Sequence, residues 1–281
     1  MNAPLTLDAR QRAMLAEMGV RVWQPKPPAP PPETARTAAV NAPEKIASFQ
    51  DSTWDKTQKH SKNLPPDSTP QAAPPAAGPR PQDVALMDWP ALQAAVAGCQ
   101  ACGLCAGRTH TVFGVGSRQA EWMVVGEAPG EQEDRQGQPF VGQAGKLLDR
   151  MLAAIGLTRA DDADPAKKPA GVYIANVLKC RPPGNRNPQP EEIARCEPYL
   201  RRQVALLRPK IILALGRFAV QTLLQTTEPI GRLRGRVHLY EDVPVIVSYH
   251  PAYLLRALPE KAKAWEDLCL ALATRENIEG V

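Results

Sequence analysis

No apolar run in this chain of 281 residues approaches the ~18–20 residues of a membrane-spanning helix. The N-terminus has no apolar segment of the signal-peptide type, so we expect a cytoplasmic protein. The sequence also lacks a GxxxxGKS/T motif, which argues against a phosphate-cradling loop. The net charge of +5 is compatible with nucleic-acid binding but is too small to indicate it.

Six cysteines are present, and a cytoplasmic location argues against a disulfide framework. Five of them fall in two groups: Cys99, Cys102 and Cys105, then Cys180 and Cys196. The long spacing of the second group excludes a two-knuckle zinc ribbon, whereas four thiolates from scattered segments fit a [4Fe–4S] cluster. Spacing alone favours a cluster only slightly over zinc, leaves unliganded cysteines possible, and allows Cys105 to replace Cys102. Cys269 is predicted to be a small buried hydrophobe.

Composition divides the chain into three predicted regions. Residues 1–84 contain half of the 30 prolines, and we predict a Pro/Ala-rich disordered linker at 25–84. Residues 1–24 contain a short amphipathic helix, which is marginal alone and is therefore predicted to fold on a partner. An unstructured tail is the alternative. Residues 85–281 are predicted to form the folded domain.

Within the folded domain, strands alternate with helices, which implies an α/β fold with a mostly parallel sheet covered on both faces. Strands are predicted at 122–126, 172–177, 210–215, around 234–240 and at 243–248. Helices are predicted at 84–98, 143–156, 190–207, 217–225 and 259–275. The helix at 190 begins with proline followed by two glutamates, a typical helix start.

An acidic, glycine-rich loop follows the first of these strands. Open α/β sheets place ligand sites at the carboxyl ends of their strands, where this loop begins. It carries Glu131, Glu133 and Asp134 near Glu127. This charge repels anions, so we expect a guest that is neutral, or that becomes cationic in its transition state.

Four motifs then follow one another along the chain. They are GEAPGEQEDRQGQPFVG at 126–142, YIANVLKCRPPGNRNP at 173–188, ILALG at 212–216 and SYHPAYLLR at 248–256. With the cysteine pattern, they resemble the iron–sulfur (family 4) uracil-DNA glycosylases over about residues 90–275. The resemblance implies a three-layer α/β/α sandwich with a central four-stranded parallel sheet. It also implies a monofunctional DNA-repair enzyme that flips uracil out of DNA and hydrolyses its N-glycosidic bond, leaving an abasic site.

The resemblance also resolves the cysteines that spacing left open. The family's cluster ligands correspond to Cys99, Cys102, Cys180 and Cys196. Cys105 then becomes a bystander. The implied cofactor is a [4Fe–4S] cluster with a structural role.

By the same resemblance, the uracil pocket is lined by Glu127, Ala128, Glu133, Phe140, Asn176 and His250, of which His250, Glu127 and Asn176 are catalytic. The Asn176 amide can donate to O4 and accept from N3–H of a flipped uracil, the opposite of the pattern that cytosine offers. Phe140 is expected to stack on the base, and neutral His250 to donate to O2 as the uracil anion forms. Each has a structural alternative: a turn asparagine, a core phenylalanine and a histidine before proline.

The carboxylates have less defined roles. Glu127 is expected to line the pocket and Glu133 to lie on the C5 side, where thymine carries its methyl group. Ala128 replaces the aspartate of the classical uracil-DNA glycosylases. A dedicated water-activating carboxylate is therefore missing at that position, and leaving-group stabilisation would carry more of the barrier.

Contacts to DNA are expected from the two loops that follow the later motifs. Phosphate contacts are predicted for Lys179, Arg181, Arg186 and Arg256, with a solvated basic face as the alternative for each. Leu254 or Tyr253 is predicted to fill the gap left by the flipped base. The plain PPGNRNP loop argues against the related branch that forms a covalent adduct with DNA.

The expected partner is uracil-containing DNA, single- or double-stranded, bound by a monomer. Residues 10–23 resemble the N-terminal peptide of the psi subunit of the bacterial DNA polymerase III clamp loader. Residues 5–24 are therefore expected to bind the clamp loader, which implies a bacterial nucleoid-associated protein. Two other hypotheses are a replisome accessory protein with reduced catalysis and a zinc-stapled hydrolase. The complete pocket set weakens the first, and the lack of a His/Asp ligand cluster weakens the second.

Overall fold

The computed structural model describes residues 83–160 and 170–279, which belong to one compact unit. The predicted N-terminal peptide and nearly all of the predicted linker lie outside the described residues. The described chain begins at Asp83, and Val84 already packs into the core. No helix in the described ranges is long and apolar enough to cross a membrane.

The described elements alternate between strands and helices. The strands are β1 (Val115–Gly116), β2 (Trp122–Gly126), β3 (Leu157–Thr158), β4 (Ala170–Asn176), β5 (Ile211–Leu215), β6 (Val237–Tyr240) and β7 (Val243–Ser248). The α-helices are α1 (Trp89–Ala97), α2 (Glu131–Gln136), α3 (Gln143–Ala154), α4 (Pro190–Leu207), α5 (Arg217–Leu224), α6 (Ile230–Leu233), α7 (Pro251–Leu254) and α8 (Glu260–Glu279). Short 3₁₀ turns occupy Val84–Leu86, Gly103–Ala106 and Pro183–Asn185.

The strands form one mixed, seven-stranded sheet in the order β1-β4-β2-β5-β7-β6, with β3 also paired to β4. The four central strands β4, β2, β5 and β7 are parallel, whereas β1 and β6 are antiparallel to their neighbours. The prediction of a four-stranded parallel sheet is therefore wrong in the number of strands, and the sheet as a whole is mixed. The prediction missed β1 and β3, because each has only two residues and leaves no periodic pattern.

Side chains alternate across the sheet and build a core on each face. On β2, Met123 and Val125 belong to one cluster, and Trp122 and Val124 belong to the other. Helices α1, α4 and α5 contribute to the first cluster, and helices α3 and α8 contribute to the second. The result is the predicted three-layer arrangement, with the strand ends left open for a site.

Local signals explain where the helices begin. Helix α4 covers the predicted residues, starting at Pro190 with Glu192 accepting from the Gln189 N–H at 2.8 Å. The helix predicted at 84–98 is instead split, because Asp88 caps a new helix by accepting from the Ala91 N–H at 2.9 Å. Helix α2 lies inside the acidic loop and was not predicted.

Candidate active site

A cleft of about 640 Å³ lies at the carboxyl ends of the parallel strands. The structure brings the six predicted pocket residues to its wall: Glu127, Ala128, Glu133, Phe140, Asn176 and His250. They follow the ends of β2 and β7, lie in the loop that contains α2, or end β4. The parallel topology therefore gathers residues that are more than 100 positions apart in the chain.

Asn176 is the last residue of β4 and pairs in register with Gly126, the last residue of β2. Its side chain is only 2% exposed, yet its amide oxygen has no hydrogen-bond partner among the residues of the described ranges. A buried amide acceptor without a partner costs about 1–3 kcal/mol. Asn176, which lines the cleft, therefore carries a buried acceptor without a partner in the described chain.

Gly126 makes the close approach of Asn176 and Phe140 possible. A side-chain Cβ at Gly126 would lie 2.4 Å from Asn176 Oδ1 and 2.6 Å from Phe140 Cζ. Such distances are too short for any side chain at this position, so the two groups can meet only beside a glycine.

Phe140 has a positive φ of 54°, which is rare for an aromatic residue. Its carbonyl oxygen would be 1.7 Å from a Cβ at Gly145, so the first turn of α3 fits against this loop only with glycine there. The buried Phe140 ring stacks on the His250 ring, with centroids 5.4 Å apart and an angle of 27° between the planes. A phenyl ring and an imidazole that pack against each other thus form part of the cleft wall.

His250 caps the short helix α7 by accepting the Ala252 N–H on Nδ1 at 3.2 Å. A neutral ring that accepts on Nδ1 carries its proton on Nε2. Burial lowers the His250 pKa to about 4, while the charge of Glu133 opposes this shift and that of Arg256 adds to it. His250 is therefore a neutral hydrogen-bond donor near pH 7.

Glu127 follows β2 directly and is partly buried in the cleft. Burial raises its pKa to about 6, and the charge of Arg217 opposes the shift. A carboxylate with this pKa is ionised at neutral pH and is more basic than an exposed glutamate.

Glu133 lines the cleft, but its carboxylate oxygens are occupied by the backbone of its own loop. They accept N–H groups from Gly130 at 3.1 Å, Val141 at 3.0 Å and Gly142 at 3.2 Å. Glu133 therefore ties the start of α2 to the segment that carries Phe140. This bracing role was not predicted from the sequence.

The side chains predicted to contact DNA differ in their exposure to solvent. Arg256 and Tyr253 are exposed at the cleft, and Arg256 forms no ion pair within the described ranges. Leu254 is 0% exposed in the core, so the prediction that it fills the gap left by the flipped base is wrong. The next residue, Leu255, is 42% exposed.

Two other predicted phosphate contacts, Arg181 and Arg186, have partners within the protein but stay partly exposed, so their contact with phosphate remains a prediction. Arg181 donates to Asn185 Oδ1 at 2.7 Å, and Arg186 makes a two-bond pair with buried Glu192 at 2.9 and 2.6 Å. Lys179 is only 2% exposed, so the prediction that it touches phosphate is wrong.

Sequence reasoning missed Arg217 and Tyr249 as cleft residues. Arg217 follows Gly216, which comes directly after β5 and has a φ of +91°. A Cβ at Gly216 would lie 3.0 Å from His250 Cβ. The position of Arg217 after a predicted strand end was the available signal. Tyr249 precedes His250 within the SYHPAYLLR motif, and its ring centroid lies 5.2 Å from that of Tyr253.

A second, small cavity lies on the other side of the loop after β4. It is lined by five thiols: Cys99, Cys102, Cys105, Cys180 and Cys196. Two nitrogen donors point at its sulfurs, namely the Lys179 N–H to Cys196 Sγ at 3.2 Å and Arg108 Nη1 to Cys180 Sγ at 3.3 Å. Burial raises the Cys180 pKa to about 11 and the Cys196 pKa to about 12. Within the described ranges, no group of three or more His, Cys, Asp or Glu is arranged for a single metal ion.

The fold and the cleft define an α/β protein whose cleft is lined by an amide, a phenyl ring and an uncharged imidazole. Sequence comparison gives the family, since residues 113–269 match the model of the uracil DNA glycosylase superfamily. The chain belongs to this superfamily, and within it to the type-4 uracil-DNA glycosylases.

Three relatives illustrate the similarity. The type-4 uracil-DNA glycosylase of Archaeoglobus fulgidus is 48% identical over 165 residues, covering 56% of this chain and 78% of that protein. That of Saccharolobus solfataricus is 43% identical over 178 residues, covering 60% and 78%. That of Pyrobaculum aerophilum is 36% identical over 192 residues, covering 66% and 93%.

Proposed function

We propose that this uracil-DNA glycosylase reads a flipped uracil with Asn176, stabilises the leaving base with His250 and leaves an abasic site. The observation that carries the proposal is the buried amide oxygen of Asn176, a residue that lines the cleft, because this oxygen lacks a partner in the described chain. Uracil N3–H is a donor of the type this oxygen needs. The base must leave the duplex to reach it.

Selectivity against cytosine follows from the same amide. The Asn176 oxygen accepts from N3–H, and the amide nitrogen donates to O4. Cytosine has an acceptor at N3 and a donor at N4, so both contacts become repulsive. A site built for one hydrogen-bond pattern rejects its opposite by about 10⁴-fold or more.

Leaving-group stabilisation falls to His250. Cleavage of the glycosidic bond moves electrons onto the base, and negative charge develops at O2. The Nε2–H of neutral His250 donates to this oxygen, and the ring is held in place by the Ala252 N–H and by stacking on Phe140. A preorganised donor of this kind contributes about 10²–10³-fold to the rate.

Water addition to the sugar is assigned to Glu127. Its carboxylate is the cleft group whose pKa, at about 6, lies near neutral pH. It accepts a proton from water as the water attacks C1′, and its negative charge favours the cationic sugar. Cleavage of the DNA strand after base release would need an amine nucleophile. No lysine is among the described residues that line the cleft. This supports monofunctional hydrolysis.

The thiol cavity is proposed to hold a [4Fe–4S] cluster on Cys99, Cys102, Cys180 and Cys196. The donor set fits, because these four thiols line one cavity and two N–H groups point at its sulfurs. Such a cluster, when bound, is a one-electron redox centre that also cross-links the chain. Here the four cysteines join the segment before β1 to the loop after β4 and to helix α4. Purified protein should be brown and contain iron and sulfide in equal amounts, whereas an active, colourless, zinc-containing protein would contradict this assignment.

The N-terminal proposal rests on sequence alone. Residues 5–24 are proposed to bind the clamp loader and to raise the local concentration of a monomeric, nucleoid-associated enzyme at replicating DNA. A peptide of residues 1–25 should retain clamp-loader subunits in a pull-down. Equal retention by the Trp23→Ala peptide would contradict the proposal.

The function is tested with oligonucleotides that carry a single uracil, cytosine or thymine, in single strands and in duplexes. Wild-type protein should release uracil alone and leave an abasic site that breaks only on alkali treatment. His250→Ala should slow release by about 10²–10³-fold without changing duplex binding. Release of cytosine at a comparable rate, or an unchanged rate for His250→Ala, would contradict the proposed chemistry.

A further inference from the structure

Lys179 is a buried lysine between the two sites. It lies three residues after Asn176 and directly before Cys180, and its side chain is 2% exposed. The proposed chemistry gives this ammonium group no role. Burial of a charged amine is costly unless its partners repay the lost hydration, so its contacts have to explain its presence.

The ammonium group is held by two oxygens. Lys179 Nζ donates to the backbone oxygen of Asn176 at 2.7 Å and to Gln203 Oε1 at 2.6 Å. Gln203 in turn donates to the Phe113 carbonyl at 2.9 Å and to the Tyr173 hydroxyl at 3.1 Å. Both Gln203 and Tyr173 are buried, so Lys179 fixes the end of β4 within a rigid polar network.

The charge of Lys179 has no carboxylate partner in the described part of the chain. The backbone of Lys179 reaches the thiol cavity, where its N–H donates to Cys196 Sγ at 3.2 Å. The same residue therefore touches a cluster ligand with its main chain and the strand end of Asn176 with its side chain. A methionine would fill this space without a buried charge, so packing alone does not account for a lysine.

We propose that Lys179 is a positioning residue that couples the thiol cavity to the uracil-reading amide. Its ammonium group fixes the Asn176 carbonyl, and thereby the direction in which the Asn176 side chain enters the cleft. This inference rests on the proposed roles of Asn176 and of the cysteines.

The test compares Lys179→Met with Tyr173→Phe in the full chain. Lys179→Met removes the contact to Asn176 while filling a similar volume, whereas Tyr173→Phe removes a hydroxyl from the same network and leaves that contact intact. Three quantities are measured: visible absorption of the cluster per chain, the single-turnover rate of uracil release, and the affinity for duplex DNA with a tetrahydrofuran abasic site.

Lys179→Met should keep its cluster and bind abasic-site DNA within about twofold of wild type, while the single-turnover rate falls about 10²-fold, the size expected for a misplaced group. Tyr173→Phe should keep the wild-type rate. A wild-type rate in cluster-loaded Lys179→Met overturns the proposal. If Lys179→Met does not fold, Gln203→Met decides the question: a loss of about tenfold with the cluster retained supports the proposal, and an unchanged rate overturns it.

Asn176→Ala is measured in parallel to separate two kinds of failure. If Asn176→Ala still releases uracil at the wild-type rate, the proposed reading of uracil by this amide fails. If Asn176→Ala is inactive and Lys179→Met is fully active, only the positioning role of Lys179 fails.

Discussion

Glu127 is the residue whose ionisation sets the expected pH profile. An ordinary glutamate has a pKa near 4.5, and burial in the cleft raises that of Glu127 to about 6. The acting form is the carboxylate, so activity should be full above the raised pKa and should fall as the pH drops through it. His250, with its pKa lowered to about 4, stays neutral through this range.

We therefore expect the single-turnover rate to fall about tenfold per pH unit below about pH 6. Glu127→Gln should be slower at neutral pH, and its rate should be nearly flat over about pH 5–7. The measurement is a pH–rate profile for both proteins on one uracil oligonucleotide. A wild-type rate that stays constant down to about pH 5 would show that Glu127 is not the base.

Leu254 and Leu255 are adjacent residues with opposite environments. Leu254, the last residue of α7, is enclosed in the core. Leu255 is 42% exposed, and Tyr253 is exposed to a similar extent. Leu254→Ala should lower the free energy of unfolding by about 3 kcal/mol, the usual cost of a core cavity. Leu255→Ala should leave stability within about 0.5 kcal/mol and slow uracil release from duplexes more than from single strands.

Denaturant unfolding and paired duplex and single-strand assays check this contrast. Equal stability losses for the two variants would mean that Leu255 is not a surface residue. An unchanged duplex rate for Leu255→Ala would leave Tyr253 as the side chain that fills the gap.

Helix α2 and its loop form the element that carries one wall of the cleft. Glu133 holds the loop by three hydrogen bonds to backbone N–H groups, and Phe140 occupies its left-handed conformation within the same segment. Bonds from N–H groups to a carboxylate are worth more than neutral ones. The loop is thus held in its cleft-forming shape by one carboxylate.

Glu133→Ala should lower the free energy of unfolding by about 2–4 kcal/mol and slow uracil release, because Phe140 loses its support. Glu131→Ala is the matched control from the same helix. Its carboxylate is exposed and pairs with Arg135 at 2.5 Å, so its removal should cost at most about 0.5 kcal/mol. Equal effects of the two substitutions on thermal unfolding would contradict the bracing role of Glu133.

At the scale of elements, sequence reasoning succeeds where a signal is local and long. Helix α4 was predicted over Pro190–Leu207 because proline and glutamates mark its start and apolar residues repeat along it. The role of Glu133 was out of reach, because its partners Val141 and Gly142 lie eight and nine residues away and show no pattern. The prediction that Leu254 fills the gap failed for a related reason, since a helix of four residues is too short to define a buried face.

For the whole molecule, the parallel sheet brings four distant motifs to one edge, and the loop after β4 connects the cleft with the thiol cavity. The N-terminal residues are proposed to serve partner binding and not the chemistry. Deleting residues 1–82, which leaves Asp83 and buried Val84 in place, should change the uracil-release rate less than twofold. A loss of activity with an intact cluster would show that the N-terminal region contributes to DNA binding or catalysis.

The most direct measurement of the central claim is uracil release by wild type and Asn176→Ala under single-turnover conditions, with binding to abasic-site DNA measured alongside. The orphaned amide oxygen predicts that Asn176→Ala loses at least about 10³-fold in rate while its affinity for abasic-site DNA stays within about twofold of wild type. Release of uracil by Asn176→Ala at a rate close to wild type would show that this amide does not read the base.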